Sequence, residues 1–153
     1  MGDRAMGMFE EHRAHTSLRY GLEVDGVTLA EFQEVSTITI EQNVIEQKVS
    51  SGAGAVETRK YPGKATYGDI TFKRGLTEDD QLYRWIEKVS GGEYEGALKG
   101  GAILQFTESL DVANRWNFEG GWPSKWELSG HKAGSTDTTV ESMTIKVSRI
   151  WKD

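Results

Sequence analysis

The sequence predicts a mainly-β domain: a small antiparallel β-barrel or sandwich with one flanking α-helix and a long extended loop. Three observations lead there. Apolar and polar residues alternate with period two in several stretches, a single stretch repeats with the helical period, and one long stretch shows neither.

The elements follow in chain order. Leu18, Tyr20, Leu22 and Val24 alternate with Arg19, Gly21 and Glu23, which reads as a strand with one buried face. Asp25-Gly26 comes next, a dipeptide that tolerates the positive φ of a tight hairpin turn. Val27 and Leu29 start the return strand. A further strand is read over residues 37–45, with Ile38, Ile40 and Val44 on one face and Thr37, Thr39, Glu41 and Asn43 on the other. From 46 to 64 the alternation fades, and the sizeable apolar residues are Val49, Val56 and Tyr61. A loop of that length without periodicity is expected to be functional or disordered, and Pro62-Gly63 is read as its closing turn. Residues 67–74 form another strand, with Ile70 and Phe72 on one side. Thr77 is the expected N-cap of the helix, followed by Glu78, Asp79 and Asp80 at the positive end of the helix dipole. Leu82, Trp85, Ile86 and Val89 then form one apolar stripe, and Gly91-Gly92 ends it. The last third returns to strands. Ala102, Leu104, Phe106 and Leu110 share a parity, Trp116 and Phe118 another, and Met143, Ile145 and Val147 oppose Thr144, Lys146 and Ser148.

Composition narrows the function classes. The 153 residues suit one domain with a proper core. Its absence of cysteine excludes a disulfide framework, a thiolate metal site and a cysteine nucleophile. No apolar run approaches a membrane span, and no signal-peptide core precedes the domain, so assembly in the cytoplasm is expected. A net charge of −6 makes nucleic acid a poor partner. That charge is polarised: residues 1–47 carry nine acids and three bases, and residues 48–153 carry fifteen of each.

Candidate chemistry is sparse. His12 and His15 lie three apart in a polar segment, but no acidic constellation completes a metal site around them, and His131 sits in a glycine-flanked loop. Asp79-Asp80 are adjacent, so on a helix they point apart and do not form a catalytic carboxylate pair. Ser51-Gly52-Ala53-Gly54 lacks the Gly-Lys-Ser/Thr ending of a phosphate loop. The residues therefore nominate no catalytic, cofactor-binding or metal site. Trp116, Trp122 and Trp126 fall within eleven residues, and without a basic surround they read as core or subunit-interface volume.

Several segments resemble, in order, the inner tube proteins of phage tails and contractile injection systems, a family similar to the type VI secretion tube protein. Phe32-Gln33-Glu34-Val35-Ser36 resembles its opening motif, and Val44-Ile45-Glu46-Gln47 the strand end before its long loop. Ile70-Thr71-Phe72-Lys73-Arg74-Gly75 resembles the strand before its helix, where Trp85 then falls as expected. Trp122-Pro123-Ser124-Lys125-Trp126 and Val140-Glu141-Ser142-Met143-Thr144-Ile145 resemble its two closing segments. The resemblance covers residues 17–150, so residues 17–153 are taken as the tube-protein domain and residues 1–16 as an N-terminal extension, flexible or ring-contacting.

The resemblance implies a non-enzymatic subunit of stacked, hexameric rings forming a tube that sheath contraction propels. It implies no cofactor. The implied partners are further copies of the chain, a sheath protein, baseplate or hub and cap proteins, and cargo in the lumen. Nucleic acid enters only if a phage genome passes, and a membrane is crossed only as part of a tube. The particle itself would be released or cell-anchored. Lys48, Val49, Ser50, Val56, Arg59, Lys60 and Tyr61 are the candidate ring-stacking residues, because their stretch is basic while the first 47 residues hold the acid excess. Thr37, Thr39, Glu41, Asn43, Thr144, Lys146 and Ser148 are the candidate lumen face. A tube-initiating paralogue, a phage tail tube and, more distantly, a small-molecule-binding β-barrel are the alternatives.

Overall fold

The computed structural model of the chain describes residues 19–130, 133–134 and 139–153. Among them run β1 (Arg19–Val24), β2 (Val27–Phe32), β3 (Glu34–Val35), β4 (Ile40–Ser50), β5 (Val56–Tyr67) and β6 (Ile70–Gly75). Then come α1 (Gln81–Ser90), α2 (Tyr94–Ala97), β7 (Lys99–Phe106), β8 (Val112–Leu128), β9 (Val140–Lys146) and β10 (Arg149–Lys152). The fold is mainly antiparallel β, as the period-two patterns predict.

One sheet has the order β2-β1-β7-β8-β9-β6-β3, and β10 pairs with β8. The 17-residue β8 organises it. β10 pairs along Trp116–Glu119 and β9 along Trp122–Leu128, so β9 and β10 lie end to end against one strand. Between them β8 turns at Gly120, whose φ of +63° suits glycine, and a Cβ there would strike the Ser148 hydroxyl. At the ends of the order, β2 and β3 are separated only by Gln33, whose N–H donates to the Lys73 carbonyl at 3.1 Å. The sheet therefore curls until its two margins approach. It does not close into a barrel.

The curl encloses the core. Leu22, Phe32, Phe72, Phe118, Met143 and Ile145 are buried inside it, and the Phe32 and Phe72 rings meet with centroids 4.8 Å apart. Helix α1 adds Leu82 and Trp85, both buried, while Ile86 and Val89 are half-buried against the same cluster. Trp85 has a polar handle as well: its Nε1–H donates to the Ala97 carbonyl at 2.7 Å, fixing α2 against α1.

The structure corrects several expectations. Residues 46–64 are not a loop: they belong to a β4–β5 hairpin that pairs only with itself. Its alternation was invisible because neither face is buried, so no apolar parity was imposed on it. The turn falls at residues 51–55, where Ser51 N–H donates to the Ala55 carbonyl at 2.9 Å and Gly54 takes φ +78°. Pro62-Gly63 lies inside β5, next to a register shift where a missing N–H is tolerated. The strand read over 37–45 begins at Ile40, and Ile40 and Val44 are exposed rather than core. The helix starts at Gln81, not after Thr77, because the Thr77 hydroxyl accepts from Asp79 N–H and Asp79 Oδ1 accepts from Gln81 N–H at 3.0 Å. A second, one-turn helix, α2, was too short to leave a period. Leu110 is exposed in a turn, and Ile103, of the parity opposite to Ala102 and Leu104, faces the main core; both faces of β7 are buried.

Gly92, with φ +86°, ends α1 as expected: its N–H donates to the Val89 carbonyl, and the Glu93 N–H donates to that of Lys88. Trp85→Ala removes the largest buried side chain of α1 and should destabilise the subunit by about 3–5 kcal/mol. Urea unfolding checks this, and an unchanged midpoint would show that α1 is anchored elsewhere.

Candidate assembly surfaces

The β4–β5 hairpin is the most exposed part of the described chain. Eleven residues of β4 span about 36 Å at the usual strand rise. Ile45 lies opposite Tyr61, and Val44 opposite Pro62. Ile40, Val44, Ile45, Val56 and Tyr61 are all exposed large apolar residues, between 42% and 68%. By strand alternation Val44, Pro62 and Val56 share one face, and Ile45, Val49 and Tyr61 the other. Apolar groups thus stand on both faces of a ribbon that pairs with no further strand. Between them run opposed polar residues, Glu46 with Lys60 and Gln47 with Arg59. The sequence-predicted residues Lys48, Val49, Ser50, Val56, Arg59, Lys60 and Tyr61 are therefore brought together on the distal part of one arm. Ile40, Val44 and Ile45 were missed as surface residues, because an apolar strand residue reads by default as core.

A second surface is the outward face of β6 and β9. Thr71 and Thr144 lie opposite each other with hydroxyls 2.9 Å apart, and the Lys146 ammonium donates to Asp69 at 3.2 Å. Thr37 and Thr39 are exposed in the link before β4, and the Thr39 carbonyl accepts from Gly68 N–H. Glu41 and Asn43 lie on β4 in the parity that Ile45 continues, so their polar row is interrupted along the arm. Ser148 sits apart, at the break between β9 and β10. The seven predicted residues do not form one continuous patch within the subunit.

Beneath these surfaces lies a buried ion pair that joins three of the motif segments. Arg74 on β6 is directly opposite Glu141 on β9, with Nε donating to Oε1 at 2.7 Å. Both are buried, at 6% and 2% exposure. Trp126 Nε1–H donates to the other carboxylate oxygen at 3.1 Å, and Arg74 Nη2 donates to the Asp79 carbonyl at 3.2 Å. In the tryptophan motif Pro123 is buried, Trp122 and Trp126 are half-buried and Lys125 is exposed, paired with Glu127. Trp116 and Trp126 pack against the core cluster, and Trp126 meets the Tyr83 ring with centroids 5.2 Å apart.

On the opposite face of the sheet Arg115 forks onto Glu23, with Nη1 and Nη2 donating at 3.0 and 2.8 Å. Those hydrogen bonds, outweighing burial and aided by the guanidinium charge, hold the Glu23 carboxyl below its ordinary value. Arg115 is raised in return. Asp79 Oδ1 accepts from Gln81 N–H just ahead of α1 and Asp80 pairs with Arg84, which gives both carboxylates local structural work. Among the described residues no three of His, Asp and Glu gather as a metal site. His12, His15, His131 and the extension 1–16 lie outside the described residues.

Comparison with known proteins follows the same lines. A family model described as T4-like virus tail tube protein gp19 matches residues 16–150. A search of curated proteins returns no match. Among solved structures, the chain is similar to one in the sheath-tube complex of an extracellular contractile injection system, PVC, in its extended state: 21% identity, 96% of each chain covered, TM-score 0.78. It is similar to a chain of the anti-feeding prophage cap at 21% identity, covering 93% of this chain and 92% of that one, TM-score 0.76. Hcp1 from Salmonella typhimurium shares 12% identity, with 88% and 85% covered and TM-score 0.57. These likenesses establish a shared fold.

Two outcomes are expected. Arg74→Ala leaves a buried carboxylate with its main partner gone, and should cost about 3–5 kcal/mol in denaturant unfolding; a loss below 1 kcal/mol would contradict that. Because the folded Glu23 value is lowered, its stabilisation is complete above the ordinary carboxylate range and is lost as pH falls through the lowered value. Glu23→Gln should therefore be less stable than wild type at neutral pH, with the gap closing in acid; a gap constant with pH would refute it.

Proposed function

Because the chain belongs to the T4-like virus tail tube protein gp19 family, we propose that it is a structural subunit of the inner tube of a phage tail-like contractile injection system. Copies form rings, six-membered by analogy, and the rings stack around a lumen. One observation carries the reading. A two-stranded ribbon with apolar residues on both faces is at best marginally stable alone in water, and this arm is laddered to nothing but itself. Neighbouring copies supply what it lacks. Sheet margins at β2 and β3 are completed in the same way, since lateral pairing removes exposed strand edges.

The arm, from Lys48 to Tyr61, makes the ring-to-ring contact. Its bases Lys48, Arg59 and Lys60 meet the acid-rich first 47 residues of the next copy, a heterologous contact of the kind that propagates. Glu41 and Asn43, with Thr37, Thr39, Thr144, Lys146 and Ser148, contribute the polar lumen face; the patch becomes continuous only around a ring. Sheath, baseplate and cap proteins are the external partners, with cargo in the lumen, and the chain is assembled in the cytoplasm. No helix among the described residues is long and apolar enough to cross a membrane. The function is architectural and assigns no catalytic residue or cofactor. A ligand-binding barrel is disfavoured because the interior is filled by Leu22, Phe72, Phe118 and Met143.

Deleting residues 49–59 should leave a folded subunit that no longer stacks, read by circular dichroism and negative-stain electron microscopy. Normal tubes from that protein would end the proposal. Raised salt should also weaken stacking, since exposed charges are screened over about 10 Å at 0.1 M; salt-indifferent assembly would remove the charge component.

A further inference from the structure

The turn between β7 and β8 holds a residue that its own subunit does not need. Leu110 takes φ +64°, a left-handed conformation in which bulky side chains are genuine outliers. The residue is nonetheless 58% exposed, and Val112 close by is 53% exposed. The turn is not loose. Thr107 N–H donates to the Asp111 carbonyl at 2.9 Å, Leu110 N–H donates to the Thr107 carbonyl at 3.0 Å, and Asp111 N–H donates to the Thr107 hydroxyl at 3.3 Å. Glycine would suit this backbone better. An apolar side chain is therefore held outward, on a braced turn, against backbone preference.

At the other end of β7 lies an apolar groove of about 200 Å³, lined by Val89, Tyr94, Ala97, Leu98 and Trp122. Tyr94 and Leu98 are 67% and 49% exposed. The groove is also braced, through the Trp85 hydrogen bond to the Ala97 carbonyl. Knob and groove are separated by the eight residues of β7, about 26 Å of strand. They lie beyond opposite ends of β7, one a protruding apolar side chain and the other an apolar recess. A tube of identical chains needs two complementary ends, and association between rigid partners loses little conformational freedom.

We infer that Leu110 of one copy seats in the Leu98–Trp122 groove of the copy in the next ring, a stacking contact separate from the β4–β5 arm. The inference rests on the tube reading, with a second copy of this chain as the occupant. In the assembly the apolar knob leaves water, and its backbone strain is offset by burial that the isolated subunit never obtains.

The chain has no cysteine, so introduced thiols report cleanly. Leu110→Cys and Leu98→Cys are placed in separate chains, mixed at high concentration and oxidised, with stacking followed by electron microscopy. A cross-linked dimer is expected from the mixture and from neither variant alone. As a second arm, Leu110→Gly should keep or raise the unfolding midpoint while raising the concentration needed for stacking about tenfold or more. Stacks that form with no cross-link and no Leu110→Gly shift overturn this contact and leave the tube reading standing. Wild-type protein that never stacks overturns the tube reading and this contact with it.

Discussion

Arg74 and Glu141 face each other across β6 and β9 with almost no access to water. Their placement constrains everything around them. Two charges in a core are tolerable only if they meet, because either one alone would be an uncompensated buried ion. A one-residue slip of β9 along β6 would separate them and turn Met143 and Ile145 outward. The pair thus specifies register where hydrophobic pattern alone would merely favour it. It also reaches beyond the two strands: Trp126 brings in the second half of β8, and the Asp79 carbonyl brings in the approach to α1. Helix, closing strands and the tryptophan motif are positioned from one point.

That arrangement explains what the sequence made legible. Period two in 20–24 and 143–147 and the stripe Leu82–Trp85–Ile86 were visible because each has one face against the core. Arg74, Glu141 and Trp126 were visible only as parts of resembling motifs; nothing in one dimension says that residues 67 apart in the chain meet. Pattern reading failed where burial was absent or double. β7 is buried on both faces, so Ile103 and Leu104, of opposite parity, are both apolar and neither parity marks the core. β4 and β5 are buried on neither, so an ordered hairpin looked like a loop, and its apolar residues looked like core or like nothing.

The surfaces divide along the same physical line. Polar positions such as Thr144 and Lys146 already have partners within the subunit, in Thr71 and Asp69. The apolar ones, Ile45 and Tyr61, face each other across the ribbon and remain 56% and 42% exposed. A subunit with satisfied polar groups and exposed apolar ones retains a reason to associate, because the driving force comes from removing that apolar area from water.

The long β8 has a mechanical meaning. Its ladder bonds to β7 on one side and to β9 and β10 on the other lie across the strand direction. A force applied along that strand strains these bonds in parallel, and none can yield until many do. Peeling from a margin would break them singly. A spine shared by both halves of the sheet therefore resists a pull along its own direction far better than one applied at a margin.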